Sequence, residues 1–97
     1  MSKPHTVIVV LDAKQGKEKE LEAALQAVVQ PSRSENTCLE YRLHKSKGNA
    51  SQFILYEIWE NQEKHQEQFT KPYIKELADK LEHLIAGSYQ AFRAEQI

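Results

Sequence analysis

Glycine is scarce in this chain of 97 residues, with three in total, and no GxSxG, P-loop or dinucleotide glycine pattern is present. Without such loops the backbone has little with which to cradle phosphates, so nucleotide cofactors are set aside. Cysteine is scarcer still. Cys38 stands alone, which excludes an internal disulfide, and no Cys or His lies near it at metal-ligand spacing. A lone thiol of this kind is more often a small buried hydrophobe than a nucleophile. An excess of either charge is also missing: 13 lysines and arginines face 14 acids, for a net charge of −1. That balance excludes nucleic acid and anionic membrane surfaces as expected partners. Long apolar runs are absent too. The longest is Val7 to Leu11, and Met1-Ser2-Lys3-Pro4 opens no stretch of signal-peptide length, so a cytoplasmic protein without a membrane segment is expected. The length suits one domain, 1–97, with one modest core that oligomerisation would help to complete.

What the chain does have is the segment Phe53-Ile54-Leu55-Tyr56-Glu57-Ile58-Trp59, a strand that is apolar at every position except one carboxylate. A strand with one wet face should alternate. This one does not, so Phe53, Leu55, Glu57 and Trp59 need cover on one face of the sheet, and Ile54, Tyr56 and Ile58 need it on the other. Thr6 to Leu11, rich in β-branched residues, shares the property. Helices of one small domain cover one face, so the other asks for a second copy of the chain.

Between these strands, Leu21, Ala24, Leu25, Val28 and Val29 recur at helical spacing, and the spacing predicts one amphipathic helix ending near Pro31 to Asn36. Cys38 to His44 alternates, with Leu39, Tyr41 and Leu43 on one side, and Gly48-Asn49 turns the chain back into the strand that ends at Trp59. Asn61 caps a short helical segment, Lys71-Pro72 interrupts it, and Ile74, Leu77, Ala78, Leu81, Leu84 and Ile85 mark a helix that stops at Gly87. Ser88 to Arg93 reads as a final strand. The order βαββαβ predicts an α+β, ferredoxin-like fold, an antiparallel sheet with both helices on one face. Two such sheets meeting face to face would form a dimeric α+β barrel.

Several pieces in this order resemble a known family, the antibiotic biosynthesis monooxygenase domain, which includes small quinol monooxygenases. They are Lys14 to Leu21, Ser32 to His44, Phe53 to Trp59 with its Glu57-x-Trp59 pair, and Thr70-Lys71-Pro72-Tyr73. The resemblance implies a dimeric ferredoxin-like fold and oxygenation of phenols or quinols without metal, flavin or haem, the deprotonated substrate itself supplying electrons to O₂. Members usually carry a histidine nine residues after the tryptophan and a His-Phe pair after the proline. Here those positions hold Gln68 and Tyr73-Ile74, and His65 stands one helical turn before Gln68.

The residues themselves single out Glu57, because a carboxyl among Phe53, Leu55 and Trp59 has a raised pKa and can accept a proton near neutral pH; an ion pair or hydrogen bond holding the strand is the plainer alternative. His65 is the second candidate for proton transfer, although its Gln, Glu and Lys neighbours equally suit a solvated helix histidine. Trp59, Gln68, Tyr73 and Phe53 are the candidate lining of a site for a small aromatic substrate. His5 and His44 read as strand-end surface residues and His83 as a solvated helix residue. No set of histidines has a metal spacing, and no cofactor is expected. Two other functions stay open: an isomerase acting on a small carbonyl compound, which needs the same acid–base groups without oxygen, and a non-catalytic dimer that binds a small hydrophobic metabolite. A haem-degrading role is weaker, since no axial histidine can be placed.

Overall fold

The structure, a computed structural model, describes residues 3–97. Strand β1 (His5–Asp12) leads into helix α1 (Glu18–Gln26) and helix α2 (Val29–Arg33), followed by the hairpin of β2 (Cys38–Lys45) and β3 (Gln52–Trp59). Helix α3 (Gln62–Glu67), a 3₁₀ turn at Gln68–Thr70, helix α4 (Pro72–Leu84) and β4 (Gln90–Glu95) complete the order. The four strands form one sheet in the order β2-β3-β1-β4, and every neighbouring pair is antiparallel. This is the expected ferredoxin-like α+β plan.

The register explains why β1 and β3 are apolar throughout. They are the two central strands, pairing Val7 with Glu57, Val9 with Leu55 and Leu11 with Phe53 on the face beneath the helices. There Val7, Leu11, Tyr41, Phe53, Leu55 and Trp59 pack with Leu21 and Leu25 of α1 and Leu77 and Leu84 of α4 into one core. Full burial of such side chains stabilises by about 1.5–3 kcal/mol each. On the opposite face Ile8, Ile54 and Tyr56 line a shallow depression of about 610 Å³, edged by Glu40, Arg42 and His44. Phe92 of edge strand β4 is half exposed.

Three local features differ from the sequence expectation. The single helix expected through Val29 is two helices with a break at Ala27–Val28. Pro31 causes it, because a continuous helix would need a Pro31 N–H to bond Ala27, and the proline ring would strike that carbonyl instead. Placed in the first turn of α2, Pro31 needs no donor. The second is a bulge in β2: Cys38 pairs with Trp59 and Glu40 with the adjacent Ile58, so Leu39 is the extra residue. Cys38 thereby joins the helix-side face with Tyr41, and Leu39, expected beside Tyr41, is 54% exposed. Finally, the last strand is Gln90–Glu95, two residues later than expected.

Candidate active site

Glu57 is placed inside the molecule by the period of two along β3, and it is 4% exposed. Trp59, next on the same face, donates its indole N–H to Glu57 Oε1 at 2.9 Å. Helix α3 brings His65 over the pair, its Nε2 3.8 Å from the same carboxyl oxygen, beyond hydrogen-bond length. The Asn61 side chain accepts the Lys64 N–H at 2.9 Å, fixing the start of α3 so that His65 and Gln68, three residues apart, both turn toward the sheet. His65 is therefore buried, and the solvated alternative is corrected.

The surround is aromatic. Tyr41 meets Trp59 edge-on at 6.5 Å, the rings of Trp59 and His65 stand 5.7 Å apart, and Phe69 meets His65 edge-on at 5.1 Å. Removal from water lifts Glu57 to about 7, the Trp59 hydrogen bond offsetting part of the effect. Burial lowers His65 to about 4, helped by the neighbouring charges of His5 and Arg93. Both shifts favour the uncharged forms, so near neutral pH a half-ionised carboxyl faces a neutral imidazole. Burial and the Glu57 charge also push the Tyr41 hydroxyl far above its ordinary range. Cys38 is raised to about 11, chiefly by burial, so its thiolate is disfavoured.

A second polar group flanks the first. Gln68 Nε2 donates to Ser32 Oγ at 2.8 Å and to Tyr73 Oη at 3.4 Å, and Tyr73 Oη donates to Glu35 Oε2 at 3.1 Å. Lys71 Nζ stands 3.6 Å from the other Glu35 oxygen. Desolvation raises the Tyr73 phenol. Trp59 and Gln68 line a cavity of about 200 Å³ together with Glu35, Asn36, Thr37, Lys64, Glu67 and Lys71. Glu57 and His65 are not on its wall.

Three candidates thus meet Trp59: Glu57 through its hydrogen bond, His65 through its ring and Gln68 along the shared cavity wall, while Tyr73 is joined to them through Gln68 and is not on that wall. Phe53 is not among them. It shares the face of Glu57 but lies six residues from Trp59, roughly 20 Å along an extended strand, and packs in the core with the Lys45 ammonium 5.7 Å from its ring centre. Sequence reasoning passed over Ser32 and Glu35, which sit where periodicity gives no signal, and Tyr41, which pairing β2 with β3 would have placed opposite Glu57. His5, expected at the surface, is half-buried and pairs with Trp59 in the sheet register. Among the described residues no group of three or more His, Cys, Asp or Glu side chains is placed to hold a metal ion, and no helix is long and apolar enough to cross a membrane.

A ferredoxin-like sheet with a carboxyl, an imidazole and an indole packed beneath its helices defines a small α+β protein with a buried carboxyl–imidazole pair. Residues 4–80 match the sequence profile of the antibiotic biosynthesis monooxygenase family, and the chain belongs to that family. The uncharacterized protein sll1783 of Synechocystis sp. is 30% identical over 83 residues, covering 86% of this chain and 56% of the relative. The chain thus spans about half the length of that curated relative. Among solved structures, PA3566 from Pseudomonas aeruginosa is 27% identical and superposes with a TM-score of 0.95 over 100% of this chain and 97% of that one. Rv0793 from Mycobacterium tuberculosis, 20% identical, superposes at 0.91 over 97% and 95% of the two chains and shares the fold.

Proposed function

We propose that this protein is a cofactor-independent monooxygenase acting on a small phenol or quinol. The observation that carries the reading is the buried Glu57 carboxyl, poised near neutral pH, held by the N–H of an indole that also lines a cavity. A substrate ring enters against Trp59, and Gln68 and Tyr73 orient its oxygen. The indole then releases Glu57, and the substrate hydroxyl takes the place of the indole N–H on Oε1. Proton loss leaves an electron-rich phenolate, which passes one electron to O₂. The resulting radical pair forms a carbon–oxygen bond, the proton held at Glu57 goes to the distal oxygen, and the hydrogen on the oxygenated ring carbon leaves as a proton while the O–O bond breaks, so that the distal oxygen departs as water. For a phenol with an open ring position the balance is phenol plus O₂ giving quinone plus water, so no external reductant is needed.

The acting species is a homodimer joined through the sheet face that carries Ile8, Ile54, Tyr56 and Ile58, and its compartment is the cytoplasm. A non-catalytic small-molecule binder is the second reading, favoured by the separation of Glu57 from the cavity wall. Incubation of a reduced naphthoquinol under ¹⁸O₂ with mass analysis of the product tests the proposal. One labelled oxygen atom per product molecule, in excess of a buffer control, is expected; quenching of Trp59 by the ligand without label incorporation would establish the binder instead.

A further inference from the structure

The acid–base pair has a third member. Two buried nitrogens, His65 Nδ1 and His5 Nε2, have no hydrogen-bond partner among the described residues. Such atoms carry a desolvation cost and call for an explanation. They belong to neighbouring rings, whose centres stand 5.6 Å apart at an interplanar angle of 40°. The other nitrogen of His65, Nε2, is the one that faces Glu57. His5 is only half-buried, and with Asn61, Glu63, Gln66 and Glu95 it borders a surface depression of about 600 Å³. The order from the core outward is therefore carboxyl, imidazole, imidazole, solvent.

We propose that His5 connects the Glu57–His65 pair to water as a proton relay. In the step, Glu57 gives its proton to His65 Nε2 while the proton on His65 Nδ1 leaves toward His5 Nε2, directly or across one water molecule. His65 is neutral before and after. That matters because burial, His5 and Arg93 all disfavour an imidazolium at this position, so a step that adds and removes a proton together is favoured over one that stores the charge. The groups facing the relay are His5 on β1, Glu57 and Trp59 on β3, Arg93 on β4 and Phe69 after α3, with Glu63 and Glu95 at the outer end. The relay rests on reading Glu57 as a proton acceptor but not on oxygenation.

The test uses the whole protein without substrate. Because the Trp59 N–H donates to Glu57, its fluorescence follows the protonation of that carboxyl, and a laser-induced pH jump reads the rate. His5→Phe and His5→Gln are both expected to slow the relaxation at least tenfold while the equilibrium midpoint of the Trp59 signal stays in place. An unchanged rate in either folded variant would overturn the relay, and a merely structural His5 would move the midpoint or the melting temperature instead. In the unmodified protein, long-range ¹⁵N–¹H spectra should show His65 as the Nδ1–H tautomer below pH 6, turning toward Nε2–H as Glu57 ionises. Nε2–H at every pH would also overturn it. Neither readout depends on O₂, so loss of the relay and loss of the oxygenase reading are separable results.

Discussion

At the scale of single residues, Glu57 and His65 carry opposite pH dependences that conceal one another. Glu57 titrates near 7 in the fold against 4.5 when free, so its contribution is greatest below 4.5 and falls as pH rises through 7. His65 titrates near 4 against 6.5, so its contribution is intact above 6.5 and is lost as pH falls through 4. Each amounts to about 3 kcal/mol, since a tenfold change in proton affinity is worth roughly 1.4 kcal/mol, and between pH 4.5 and 6.5 the two slopes cancel. Urea unfolding across pH should therefore show a near-flat stability there. Glu57→Gln should turn it into a rise with pH, and His65→Phe into a fall. A flat profile in both variants would place these groups in water-like surroundings. The carboxyl was legible from Phe53, Leu55 and Trp59 around it. The burial of His65 was not, because its own neighbours Gln62, Glu63, Lys64, Gln66 and Glu67 are polar and only the packing of α3 onto β3 decides which side is covered.

At the scale of elements, α3 and the turn after it are held by two polar devices. Asn61→Ala removes the cap of α3 and should cost about 1 kcal/mol, measured by thermal or urea melting. Gln68→Ala leaves the fully buried Ser32 hydroxyl without the donor that now reaches it at 2.8 Å and should cost about 1–3 kcal/mol. A loss below 0.5 kcal/mol, taking about that value as the noise of a surface site, would show that Ser32 finds another partner. Strand and helix identities followed from period and capping residues, and Asn61, Pro72 and the Gly48-Asn49 turn all act as their chemistry directs. The bulge at Leu39 and the break before Pro31 were hidden for different reasons. A bulge is set by pairing with β3, which no single strand encodes, whereas Pro31 acts one turn upstream of itself, where the apolar spacing runs on undisturbed.

For the whole molecule, the unresolved demand of the sequence is the second apolar face. Helices cover Phe53, Leu55 and Trp59, whereas Ile54, Tyr56 and Ile58 on the other face are only half-buried and lie outside the core formed by the described residues. Sedimentation at low micromolar concentration should give a dimer, and Tyr56→Lys should shift it to monomer and lower the melting temperature; a folded wild-type monomer would remove the argument from two-faced strands.

Catalysis by the Glu57 centre is the claim on which the functional reading stands. It is tested most directly with an oxygen electrode and a reduced quinol, corrected for autoxidation, comparing wild type with Glu57→Gln, whose amide keeps the shape and removes the base. The expected result is oxygen uptake by the wild-type protein and a loss of about 10²-fold or more in the variant, with the dimer intact. Wild-type uptake no faster than buffer, or equal uptake by the two proteins, would contradict it.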